Sequence, residues 1–569
     1  MTACSFIINP MTTLLLDAPA RLRVPANGVP ANDAPASEPI ASADVLASSF
    51  VDALLAHGSY DAYYFLGGNE RTLSEPDVHD HGAADRIRVI GRDHFEELRH
   101  LPRPVMAGVG WHPLPEHRLL RQLYSRTRDW PLTGCIHSTQ AKAPLALLLQ
   151  LVLGDVQPWD ALICSSRAGR QVIERYLATL TEAYPGLRKL DWQEAISLSV
   201  IPFGTDAIDA DEARRAKMRQ QLGAAADDVV FVYVGRWSLV SKCDLIPLVA
   251  AFAGMRPDLR ARSRLVLAGD DVRDRLHDTF ARVASELGCA DRVVLHANPT
   301  ASEKLDLYRA ADVFVSPGDN LQETFGLAIT EALSVGLPVI ASDWNGYRDL
   351  VDEGVTGFLV PTYWTDLGPS FEDMSICSGV ENDGTLSGAT IVDVGRLRHV
   401  MERLASDADG RAAMSRRARQ AFAARFAWPV IIQQYEALWN ELRARATCDA
   451  AGNIRRPAQA NGLLRQTFGH YPSGWLQDDC EVALGGLSDQ LEPLLASARD
   501  MPVPCPSSFD TIARLAIHEL TASPRMSLGE LLTCVCLGTY ADVLTIRLAV
   551  ARLMKYDLVR PVGTSTLLS

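Results

Sequence analysis

Four short patterns carry residue types suited to an anionic ligand that also bears hydroxyls. The first is Glu323-Thr324-Phe325-Gly326-Leu327, with a second carboxylate at Glu331. A helix opening at Gly326 would present free N–H groups and a positive dipole end to a phosphate. Gly326 lets backbone approach closely, and the flanking carboxylates can accept hydrogen bonds from sugar hydroxyls. The second pattern is Gly235-Arg236-Trp237 after an apolar run, with Lys242 six residues beyond Arg236. Two fixed cations are what a departing diphosphate needs. The third is Ile201-Pro202-Phe203-Gly204-Thr205-Asp206. The fourth, Ile136-His137-Ser138, puts a histidine at a strand end. Each has a plain structural reading alone: a βαβ unit with two exposed Glu, a strand-end Gly-Arg, a satisfied core His. Their order along the chain sets them apart.

The elements that must position these residues alternate between apolar strands and helices. Strands are expected at 63–66, 86–90, 104–108, 132–136, 161–164 and 197–201, with helices between them, including 43–57 and 141–153. A second alternating block begins near Arg214. Its strands are expected at 229–234, 264–268, 292–295, 312–315 and 337–341, ending in Gly235, Gly269 and the Glu323 loop. Ligands in such sheets sit outside the carboxyl ends of the strands, so these three positions converge on one edge. The fold class is therefore α/β: two Rossmann-like doubly wound domains plus a small, mainly helical C-terminal module.

The expected boundaries are an N-terminal segment over 1–42, partly disordered, with one strand near Ser5–Ile8 or Thr12–Leu16. Domains follow over 43–205 and 206–445, then a linker over 446–475 and a helical, winged-helix-like module over 476–569. The acidic stretch 362–390 reads as an irregular surface insertion.

Composition narrows the function classes. At 569 residues the chain is too long for one core. A net charge of −14 argues against nucleic-acid binding. The C-terminal module offers no basic surface for it either, so a partner-binding or dimerising role suits it better. Eleven scattered cysteines without a C-x-x-C pair point to a reduced, cytoplasmic protein without a zinc site. The first residues show no signal-peptide pattern. The run Leu145–Leu153 is too short to span a membrane, so any membrane contact would be peripheral. Six Lys against 49 Arg suggest a GC-rich, bacterial coding sequence.

Taken together, the patterns resemble the GT-B-fold retaining glycosyltransferases of family 4 (glycosyl transferases group 1), the glycogen-synthase-like and sucrose-synthase-like group. The matching positions are Gly235-Arg236 with Lys242, then Glu323, Phe325, Gly326 and Glu331 of the E-x7-E motif. Ile201, Pro202, Gly204 and Asp206 match the segment closing the first domain. Thr356–Pro361 matches a later strand, and Phe426, Trp428 and Tyr435 a late helix. The chain departs from the pattern at Cys243, where a glycine is usual, and at Asn345-Gly346-Tyr347, where many members have Gly-Gly-x-Pro-Glu. The usual Gly-rich acceptor loop of the first domain is not recognisable, although Gly67-Gly68 could serve.

The resemblance implies a metal-independent transfer of sugar from a nucleotide-diphosphate sugar, with retention of anomeric configuration and no cofactor besides that co-substrate. It implies Arg236, Lys242, Glu323 and His137 as catalytic residues. Donor-binding residues would be Gly235, Arg236, Lys242, Gly269, Glu323, Thr324, Phe325, Gly326, Leu327 and Glu331, with Glu331 on the ribose. The amides of residues 325–327 would hold the sugar or its phosphate. His112 and His296 are weaker candidates. The acceptor stays open among glycan, lipid, small molecule and protein, and a homodimer through the C-terminal module is a further expectation. The competing reading is a GT-B protein that has lost catalysis and serves as a binding or scaffolding partner.

Overall fold

The computed structural model describes residues 13–17, 42–66, 86–90, 97–101, 105–107, 114–125, 129–136, 148, 156–183, 192–239, 242–272, 274–321, 323–364, 387–449, 476–493, 495, 508–539, 541 and 543–562. Two parallel sheets dominate it. The first contains β1 (Thr13–Asp17), β2 (Ala62–Leu66), β3 (Ile87–Ile90), β4 (Val105–Ala107), β5 (Leu132–Ile136), β6 (Ala161–Cys164) and β7 (Ser197–Val200). Their spatial order is β3-β2-β1-β4-β5-β6-β7. The second contains β8 (Val229–Val234), β9 (Ser263–Gly269), β10 (Val293–Ala297), β11 (Val313–Ser316), β12 (Val339–Ser342) and β13 (Gly357–Val360), ordered β10-β9-β8-β11-β12-β13. All six residues of β8 are buried, as a central strand covered by helices on both faces requires. The order of the second sheet reverses between β8 and β11. In such sheets the ligand crevice lies at this switch point, outside the strands' carboxyl ends.

Two expected boundaries change. β1 lies in the middle of the first sheet, paired in register with β2 and β4. The first sheet therefore includes residues 13–17, ahead of the boundary expected at 43. The strand matches the Thr12–Leu16 alternative, but the Pro-rich stretch after it gives no local sign that it joins the later strands in one sheet. The helix Trp428–Asp449 returns to the first domain instead of closing the second. Its Tyr435 ring lies 4.8 Å from Phe50, and Trp439 donates from Nε1 to Thr133 Oγ1 at 3.1 Å. Helical periodicity shows an apolar face but not which domain covers it. Both chain crossings run side by side: the Thr205 amide donates to the Phe426 carbonyl at 3.1 Å.

The stretch 362–390 is not irregular at its ends. β14 (Thr362–Trp364) pairs antiparallel with β15 (Thr390–Val392) in a two-stranded ribbon. In the C-terminal module, helices Phe509–Ala522, Leu528–Gly538 and Val543–Lys555 pack on a three-stranded sheet. β18 (Val559–Pro561) follows the last of these helices. β16 (Glu481–Leu484) and β17 (Met526–Ser527) are too short to show alternation in the sequence. Among the described residues, no helix is long and apolar enough to cross a membrane.

Candidate active site

The loop between β11 and the helix Leu327–Val335 forms the core of the site. Gly326 adopts φ 117°, a left-handed conformation that admits few side chains, and caps the helix. A Cβ there would also lie 2.7 Å from the Tyr347 ring. The turn after β12 clamps this loop. Trp344 donates from Nε1 to the Asn320 carbonyl at 2.8 Å, and the Asn345 side-chain amide donates to the Glu323 carbonyl. Gly346 lets the two segments touch, because a Cβ there would meet the Thr324 carbonyl oxygen at 2.0 Å. Asn320 Oδ1 in turn accepts from the Glu323 amide at 3.2 Å. So Asn345-Gly346-Tyr347, where the chain departs from the usual motif, is the element that fixes the loop.

Opposite this loop stands the end of β8. Lys242 Nζ donates to Glu323 Oε2 at 2.8 Å. Burial alone would raise the Glu323 carboxyl. The Lys242 charge and hydrogen bond, the Phe325 amide and the Arg236 charge outweigh it and hold Glu323 below its ordinary value. The ends of β8 and β9 approach so tightly that a Cβ on Gly269 would lie 1.8 Å from the Gly235 carbonyl oxygen. Gly235, Arg236, Lys242, Gly269 and Glu323 thus come together at one sheet edge.

Glu331 faces a different space. Lys304 Nζ donates to one of its oxygens at 2.6 Å and the Tyr308 hydroxyl to the other at 2.7 Å. Glu331 and Leu327 line a cavity of about 420 Å³ together with Gly204, Asp206 and Trp428 from the domain crossings. Gly204 is required by contact: a Cβ would lie 2.2 Å from the Trp428 ring. The volume is within the range of small-ligand sites.

Two expected ligand-facing residues are engaged elsewhere. Thr324 is buried, and its hydroxyl meets Ser165 Oγ of the first domain at 3.2 Å. The Phe325 ring packs between Phe203 and Phe426, 5.2 and 6.3 Å from them, and its amide serves Glu323. The first-turn amides that follow, from Gly326 and Leu327, sit where a helix leaves donors without intrahelical acceptors. His137 and His112 lie outside the described residues, as do Gly67 and Gly68, while His296 sits half-buried in β10.

Several polar residues of the site escaped sequence reasoning. Lys304 and Tyr308 lie on the neighbouring helix Ala301–Ala310, where nothing in their spacing points at Glu331. Asp319 is buried beside the loop and accepts from the Asp244 amide at 2.9 Å; its Oδ1 meets no donor from another described residue. Burial pushes its carboxyl up to about 7. The adjacent Asp319-Asn320 pair next to a strand end was the one available signal. Among the described residues, no cluster of His, Cys, Asp or Glu could hold a metal ion.

Comparisons with known proteins follow this geometry. Residues 214–375 match the family described as glycosyl transferases group 1. This segment holds Arg236, Lys242, Glu323 and Glu331. The chain is similar to proteins named D-inositol 3-phosphate glycosyltransferase. Identity is 37% over 242 residues with that of Thermobispora bispora (41% of this chain, 55% of the relative). It is 29% over 249 residues with that of Xylanimonas cellulosilytica (42% and 57%). The chain thus spans little more than half the length of these curated relatives. Among solved structures, the sucrose-phosphate synthase from Thermosynechococcus elongatus aligns with TM-score 0.49 at 20% identity, over 76% of this chain and 100% of that one. Anabaena HepE in complex with UDP aligns at TM-score 0.49 and 16% identity, with the same coverage.

Proposed function

We propose that the chain is a glycosyltransferase that moves a sugar from a nucleotide-diphosphate sugar to an acceptor hydroxyl. The observation that carries this reading is the Lys242–Glu323 pair, with Arg236 beside it, at the mouth of the crevice between β8 and β11. A diphosphate entering there competes for Lys242 and Arg236, which neutralise it as it leaves. Glu323, released from part of that pairing, accepts hydrogen bonds from sugar hydroxyls. The Gly326 and Leu327 amides face the remaining negative charge, and Glu331, steadied by Lys304 and Tyr308, takes the ribose hydroxyls through the 420 Å³ cavity.

In the reaction, the bond from the anomeric carbon to the diphosphate oxygen breaks and a bond to the acceptor oxygen forms. The acceptor proton passes to the departing phosphate on the same face, which retains configuration. The two cationic side chains fill the role a divalent metal would otherwise have, and no cofactor beyond the sugar nucleotide is required. A cytoplasmic location suits a sugar-nucleotide donor, and the described cysteines, Cys135 and Cys164 among them, are free thiols.

The test is a thermal-shift screen with UDP-, GDP-, ADP- and dTDP-sugars. A donor at a hundred times its Kd adds about 2.7 kcal/mol by mass action. The expected outcome is a saturable rise in Tm with one nucleotide class, abolished in Arg236→Ala. A flat response to all four would contradict the reading.

A further inference from the structure

A second groove, of about 340 Å³, lies between the first and second domains, lined by Leu321 and Asn345 among others. One wall is the helix Arg167–Ala183 of the first domain, which presents Gln171 and Arg175. The other is the second domain's Trp344, Asn345, Tyr363 and Trp364. Tyr363 and Trp364, on β14, are 52% and 54% exposed. The two walls are held together: the Arg167 backbone amide and Nε each donate to the Asp349 carboxylate at 2.6 Å.

The chemistry left available in this groove is specific. Trp344 spends its indole N–H on Asn320, and Trp364 spends its own on Thr390 Oγ1 at 2.7 Å. What the indoles still offer is their faces. They meet edge to face, centroids 5.3 Å apart at 70°, so Trp364 turns a broad surface to solvent. An aromatic face carries partial negative charge and attracts C–H groups made partly positive by neighbouring oxygens. Around the faces stand the Gln171 amide and the Arg175 guanidinium, donors suited to hydroxyls, and the Asn345 side chain, whose amide already holds the Glu323 carbonyl. A lipid surface would be matched by a continuous apolar patch instead. Stacking faces ringed by planar polar groups match a pyranose ring, apolar on its C–H face and polar at its rim.

We propose that this groove is a carbohydrate subsite on the acceptor side, built by the β14–β15 ribbon. It is continuous with the donor loop, because Asn345 lines the groove and also holds the Glu323 carbonyl. A sugar ring stacked on Trp364 therefore lies alongside the loop that would hold the donor. The acceptor role rests on the glycosyltransferase reading; the carbohydrate site itself does not.

The test is titration of the full chain with maltose, cellobiose, lactose and chitobiose, followed by saturation-transfer NMR. At least one disaccharide should give a saturable signal. Tyr363→Ala and Trp364→Ala should each weaken it about tenfold, and Trp364→Phe should retain it within about threefold. Because Trp364 also anchors the ribbon through Thr390, Arg175→Ala on the opposite wall provides an independent loss. The sugar-nucleotide thermal shift should be unchanged in all four variants. No saturable signal with any of the disaccharides, or equal affinity in the alanine variants, overturns the subsite. Disaccharide binding without any sugar-nucleotide shift would leave the groove standing and remove the donor reading. The reverse pattern would remove the groove alone.

Discussion

The first domain seals Arg121 against Asp160, while the second leaves Lys242 against Glu323 at the mouth of a crevice. Arg121 donates to both Asp160 oxygens, at 2.6 and 2.9 Å, and to the Trp130 carbonyl at 3.0 Å. Asp160 also accepts from the Leu132 and Gln157 amides at 3.0 and 2.9 Å. Four donors fill that carboxylate, and both side chains are fully buried. Burial pushes Asp160 above the usual carboxylate range, against the pull of Arg121 and the amides. Lys242 and Glu323 share a single bond at 2.8 Å, and both keep some exposure, 26% and 16%. Glu323 is nonetheless held low, because the surrounding cations outweigh its burial. With its carboxylate filled, the sealed pair ties the helix Leu114–Tyr124 to β5 and β6 and offers a ligand no open acceptor. An unsaturated pair at a cleft can exchange partners. Saturation of the carboxylate, more than the presence of an ion pair, separates a charge spent on structure from one that a ligand could engage.

The largest expected effect breaks the sealed pair. Arg121→Ala leaves a buried carboxylate uncompensated and should cost about 3–5 kcal/mol of stability. Denaturant unfolding checks this, and a loss under about 1 kcal/mol would show that Asp160 finds other partners.

Next comes Asp319, whose carboxyl is raised to about 7 in the folded protein from its ordinary 3.8. The folded state then holds a proton that the unfolded chain has already lost. Stability from this group is therefore full below about 4, falls as pH rises to about 7, and is flat beyond. Asp319→Asn removes the titration. Its Tm should gain on the wild type progressively between pH 4 and 7, by at most about 4 kcal/mol equivalent. A difference independent of pH would mean that Asp319 is already ionised and solvated.

The smallest effect concerns Glu331. Tyr308→Phe removes one donor of its pair and should cost about 1 kcal/mol. The same change should weaken donor affinity several-fold without altering kcat. A change in kcat alone would move Glu331 from ribose binding to chemistry.

These comparisons also mark what the sequence could show. The second domain was legible because its strands are continuous apolar runs such as Val229–Val234, each ending in a residue of recognisable chemistry. The Gly235-Arg236, Lys242 and Glu323 signals are local, so their order along the chain and the family they resemble carried them. Arg121 and Asp160 lie 39 residues apart on different elements, and no local pattern links them. The same holds for Lys304 and Tyr308 on Glu331, and for Ser165 on Thr324. The place of β1 in the first sheet was obscured by its Pro-rich flank, and the return of Trp428–Asp449 to the first domain by the silence of periodicity about partners. The β14–β15 ribbon hid within an acidic stretch whose only cue was Thr362-Tyr363-Trp364.

The most direct test of the central claim is kcat/KM for turnover of the sugar nucleotide identified by thermal shift, compared between wild type and Lys242→Ala. If Lys242 faces the departing diphosphate, kcat/KM should fall by roughly a few hundredfold. The variant's Tm should stay within a few degrees of wild type, because Glu323 keeps the Phe325 amide and the Arg236 charge when Lys242 is removed. A fall under about tenfold, or a loss of activity matched by a loss of fold, would contradict the assignment.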